Sequence, residues 1–102
     1  MKIEIPKFAM DGFHVITQGE LFRLEKSEKI GLERSADRGA CTVDVLTSVR
    51  PAGCNWQVKV TFELPGLEEV SATLVCNAAN VPKACLDLQD HLKVLAQNFG
   101  NI

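Results

Sequence analysis

Residues 56–64 alternate without interruption. Trp56, Val58, Val60, Phe62 and Leu64 fall on one side, and Gln57, Lys59, Thr61 and Glu63 on the other. A period of two is the mark of a strand with one buried and one wet face. The flanking segments repeat the pattern. Cys41, Val43, Val45, Thr47 and Val49 alternate with Thr42, Asp44, Leu46 and Ser48. After Pro65-Gly66, which carries the signature of a type II turn, Val70, Ala72, Leu74 and Cys76 alternate with Glu69, Ser71 and Thr73. The stretch 50–55, with Pro51 and Gly53, is short enough to join its neighbours as an antiparallel pair. An antiparallel meander of about 41–49, 56–64 and 69–76 follows, with 56–64 in its middle.

The period then changes. Val81, Ala84, Cys85, Leu88, Leu92, Leu95, Ala96 and Phe99 recur at spacings of three and four, which is the stripe of an amphipathic helix. Asn80 suits its N-cap, Pro82 its first turn and Gly100 its end. The stripe and the apolar side of the meander each need cover, so the predicted architecture is α+β in two layers, with the 81–99 helix across the sheet.

The first forty residues are less regular. Ile3 and Ile5 alternate with Lys2 and Glu4, giving a short N-terminal strand that Pro6 ends. Phe13 to Thr17 is β-branched and aromatic, hence strand-like, yet it also fits the start of a helix capped by Asp11. Gly19 to Lys29 is rich in helix formers, with Leu21 and Leu24, and Glu25 and Lys29, at helical spacing. A second helix is predicted over most of 18–29, with a second strand as the competing reading. Gly31 to Ala40 is charged and bracketed by glycines, which reads as a surface loop.

Composition adjusts this picture little. A chain of 102 residues with 46% hydrophobic and 24% charged residues is a single globular domain with core enough to fold without staples. Net charge is −2, and neither half is basic, so the clustered positive field of a phosphate-backbone binder is not evident. Met1 is followed by a strand-like segment rather than a basic, then apolar, leader, and no apolar run approaches a membrane span. The expectation is a cytoplasmic protein without membrane contact, whose four cysteines (41, 54, 76 and 85) are reduced thiols.

Candidate chemistry is sparse. Cys41, Cys76 and Cys85 fall on apolar faces, where cysteine behaves as a small hydrophobe. Cys54 lies in the 50–55 segment near Arg50, the one neighbour that would favour a thiolate. His91 stands four residues after Asp87, an ordinary helix-surface spacing, and His14 lies in the 13–17 segment. No zinc-ligand spacing, phosphate loop or nucleophile elbow occurs, so neither catalysis nor a metal or other cofactor is expected. Binding is the remaining class. Its candidate residues are Arg34 and Arg38 in the charged loop, and Asp44, Lys59 and Glu63 on the outer sheet face.

The order strand, helix, three strands, helix resembles two RNA-binding folds, with Cys41 to Phe99 carrying the match. One is the ribosome hibernation-promoting factor family, which implies a β-α-β-β-β-α sandwich. The other is the double-stranded RNA-binding domain, of α-β-β-β-α order, which implies a lysine cluster at the start of the last helix. Here Asn80-Val81-Pro82-Lys83-Ala84 offers one lysine, and the helix carries Asp87 and Asp90 beside Lys83 and Lys93. The leading expectation is therefore a small non-enzymatic protein–protein interaction or regulatory module. Inhibitors and adaptors, including virus-encoded ones, have this profile, and the partner is a protein or a second copy of the chain. RNA or ribosome binding is the alternative.

Overall fold

The computed structural model describes residues 12–19, 21–33, 40–64 and 69–98. It is a five-stranded antiparallel sheet backed by one C-terminal helix. The strands are β1 (His14–Gln18), β2 (Leu21–Glu33), β3 (Ala40–Ala52), β4 (Asn55–Glu63) and β5 (Glu69–Cys76), and they neighbour one another in chain order. A 3-10 turn, Ala78–Asn80, leads into α1 (Val81–Asn98). The α+β class and the meander are as predicted, and the 56–64 segment is an inner strand with β3 and β5 on either side.

Register sets the two faces. On the α1 side Leu24 stands opposite Val49, which faces Val58, and Val45 stands opposite Phe62. These five side chains are buried, together with Val43 and Val60. From the helix, Val81, Ala84, Leu88, Leu92 and Ala96 close the same core. Phe22 meets Trp56 edge to face at 6.1 Å between ring centroids, a favoured aromatic geometry. α1 begins at Val81, directly after Asn80, which is the start the sequence predicts. The Asn80 N–H donates to Asn77 Oδ1 at 3.1 Å, so Asn77 closes the preceding turn and α1 begins at once with Val81.

The second helix predicted over 18–29 is replaced by β2, and 13–17 belongs to strand β1. In β2 the α1-side positions are Phe22, Leu24, Lys26, Glu28, Ile30 and Leu32. Lys26 and Glu28 interrupt the apolar alternation, so a strand reads as helix-forming sequence. Both side chains are only partly buried, in a hollow beside α1 lined by Phe13, Thr47 and Cys85. The Lys26 ammonium lies 5.8 Å from the Phe13 ring centroid, within cation–π range. Pairing with β1 through Leu21–Glu25 and with β3 through Leu24–Glu33 overrides local helix propensity. Neither the β-α-β-β-β-α nor the α-β-β-β-α order implied by the two RNA-binding resemblances is therefore that of the described residues, which run through five strands before one helix.

Two further boundaries moved. The 50–55 loop is a two-residue turn, because Ala52 still pairs with Asn55. Gly53 has φ +64°, in the first central position where a type II′ hairpin takes glycine. Pro51 is tolerated in β3 because the register with β2 ends at Leu24 and Val49, so no donor is needed there on that side. Of the predicted 31–40 loop, Gly31–Glu33 belong to β2 and Ala40 to β3. The predicted strand at 2–5, and Arg34 and Arg38, lie outside the described residues.

Candidate functional surface: the uncovered face of the sheet

Helix α1 lies over one side of the sheet, chiefly β4 and β5. The other side carries the odd positions of β2, β4 and β5 and the even positions of β3. Cross-strand register arranges them in rows. Glu25, Ser48, Lys59 and Thr73 form one row. Ser27, Leu46, Thr61 and Ser71 form the next. Lys29, Asp44, Glu63 and Glu69 form the last. Beyond the first row, toward the Gly53 turn, Arg50 stands opposite Gln57.

Charge is segregated along this face. At the Gly53 end Arg23, Arg50 and Lys59 surround a hollow of about 320 Å³, with Glu25 the one carboxylate among its lining residues. Arg23 Nε donates to Glu25 Oε1 at 3.0 Å, and Arg50 Nε donates to Gln57 Oε1 at 2.8 Å. These bonds hold both guanidinium groups against the sheet and leave their remaining N–H groups for other acceptors. At the opposite end Asp44, Glu63 and Glu69 stand side by side on three adjacent strands. Lys29 is the nearby cation, its Nζ 4.0 Å from Asp44 Oδ1. A second hollow, of about 370 Å³, lies between Ser27, Lys29, Asp44, Leu46 and Glu63. Leu46 borders both hollows, as the one large aliphatic side chain between the two charged ends.

The acidic row is energetically unfavourable on its own. Like charges directly opposite one another on neighbouring strands destabilise a sheet by a few tenths of a kcal/mol or more per pair, roughly. The Lys29–Asp44 pair is exposed and offsets little of this. The row is thus the part of the face that a cationic partner would relieve most.

Of the five residues singled out from sequence, the structure brings together Asp44 and Glu63, directly opposite each other, and places Lys59 two rows away at the basic end. Arg23, Glu25, Lys29 and Arg50 belong to the same face and were missed. The first three were hidden by reading 18–29 as a helix, and Arg50 by reading 50–55 as a loop. Had the period of two at Phe22, Leu24, Ile30 and Leu32 been followed through Lys26 and Glu28, the outward set 23, 25, 27 and 29 would have been found.

The three cysteines whose side chains are described take no part in this surface. Cys54, Cys76 and Cys85 are free thiols, Cys54 exposed in the turn and the other two half-buried beside the core. Burial, aided by the neighbouring Cys76, pushes the Cys85 thiol up to about 11, so it stays protonated at neutral pH and is a poor nucleophile. Asp87 and His91 are both exposed on α1. No helix among the described residues is long and apolar enough to cross a membrane. Comparisons with protein-family models, with curated proteins and with solved structures return no match.

Proposed function

We propose that this chain is a small, non-enzymatic protein-binding module that acts on a protein partner through the uncovered face of its sheet. The observation that carries the reading is the segregation of charge on that face. Three cations with one carboxylate occupy one end, three carboxylates with one cation the other, and Leu46 lies between. Such a pattern fits a folded protein surface of opposite polarity, with an apolar side chain to meet Leu46. Electrostatic complementarity of this kind fixes orientation and speeds encounter. A nucleic-acid backbone fits it less well, because the acidic row interrupts any continuous positive track.

The test is affinity capture from a lysate of the source organism with three baits: wild type, Arg50→Glu/Lys59→Glu, and Asp90→Lys on the exposed side of α1. The expected result is a protein retained by wild type and by Asp90→Lys but lost with the double reversal. Retention that is indifferent to the double reversal overturns the assignment of the face.

A further inference from the structure

We propose that a second copy of this chain docks on the edge of β5 that no described strand covers, joining the two five-stranded sheets of the described residues into one. Among the described strands β5 pairs with β4 alone. Its outer edge runs for eight residues, Glu69–Cys76, with neither a proline nor a lysine and with one charge, at its first position. Edges are ordinarily guarded by such residues, by shortness or by cover. The opposite edge, β1, has five residues. Apolar side chains are exposed along β5 on both sides of the sheet, Leu74 at 41% on the α1 side and Val75 at 54% on the other.

The occupant is argued from register. Antiparallel pairing of β5 with itself, keeping like faces together, requires a two-fold axis perpendicular to the sheet that passes between a residue and its own copy. Centred on Thr73, it sets Ala72 against Leu74 of the second copy, small against large, and Val70 against Cys76. On the far side Ser71 meets Val75, and Glu69 meets Asn77 rather than another carboxylate. Every pair is neutral or singly charged.

The helices agree with this placement. α1 lies chiefly over β4 and β5, the two strands nearest that edge. The two-fold axis keeps like faces together, so the second copy brings its own α1 to the same side of the joined sheet. Cys85, Leu86 and Gln89 line the hollow toward β2 and β3. The opposite flank of α1, with Asp87, His91 and Leu95, therefore turns toward the second copy. Leu95 is 41% exposed in the single chain and gains a partner there. A foreign strand could supply the backbone bonds but not this second helix.

This inference does not depend on the partner of the charged face, since it uses the backbone edge of β5, although Thr73, Ser71 and Glu69 also border that face. Light scattering coupled to size exclusion at micromolar concentration should give twice the 11.2 kDa chain mass. Thr73→Glu is the decisive variant. Lys59 stands opposite Thr73 within the chain, so the new carboxylate suits the monomer, while in the dimer it faces its own copy. It should return the mass to one chain with the circular dichroism spectrum unchanged. In a Cys54→Ser background, Thr73→Cys should form an interchain disulfide on mild oxidation and Ser71→Cys should not. A monomeric wild type overturns the proposal, as does a dimer indifferent to Thr73→Glu that Thr73→Cys fails to cross-link. Either result leaves the charged-face reading standing if charge reversal still abolishes partner capture.

Discussion

Phe62→Ala and Leu46→Ala remove large side chains from opposite faces of the same sheet, and the account assigns them very different costs. Phe62 is fully buried, with Val45 and Val70 in register on either side and α1 across it. Truncation removes the ring's transfer energy and leaves a cavity, about 3–5 kcal/mol together. Total stability for a chain of this length is on the order of 5–15 kcal/mol, so the loss is roughly a fifth or more of the whole. Leu46 lies on the face that α1 does not cover and is half-buried by its strand neighbours. Its truncation should cost below about 1.5 kcal/mol. Urea unfolding at one fixed protein concentration measures both, since a change in midpoint at constant slope reports stability. Equal costs would refute the reasoning, because they would mean that the Leu46 face is packed in the folded chain and is no free surface.

Gly53→Ala should cost about 1–2 kcal/mol in the same titration. Beyond its chain neighbours, no atom of the described residues lies within 4 Å of the added Cβ, so the effect is backbone strain at φ +64°, and an unchanged midpoint would remove the turn assignment. Cys85 has its pKa raised from 9.0 to about 11. The folded state therefore holds a proton that the unfolded state releases first, and this contribution, complete below pH 9.0, is lost as pH rises toward about 11. Cys85→Ala should flatten stability across that window; an identical alkaline decline in wild type and variant argues against a buried thiol. Filter binding to structured RNA at low and moderate salt should show no steeply salt-dependent retention, and a steep slope would restore the nucleic-acid reading.

The second half of the fold was legible because its pattern is clean. β4 and β5 differ from expectation by at most one residue, since no charged side chain falls on their inner positions. β2 was not legible for a specific reason. Lys26 and Glu28 occupy inward positions where α1 gives partial cover, and charged helix formers there mimic a helix. The turn at Gly53 was readable as a turn, but its two-residue length depends on Ala52 and Asn55 pairing, which is a tertiary fact. The charged face was half legible. Asp44, Lys59 and Glu63 follow from alternation alone, whereas its polarity emerges only when register sets Asp44, Glu63 and Glu69 in one row.

Amide chemical-shift mapping of the labelled chain against a captured partner tests the central claim most directly. The account predicts changes concentrated at Leu46, Ser48, Lys59, Thr61 and their row neighbours, with α1 unaffected. Changes confined to the exposed side of α1, with the uncovered sheet face silent, would contradict it.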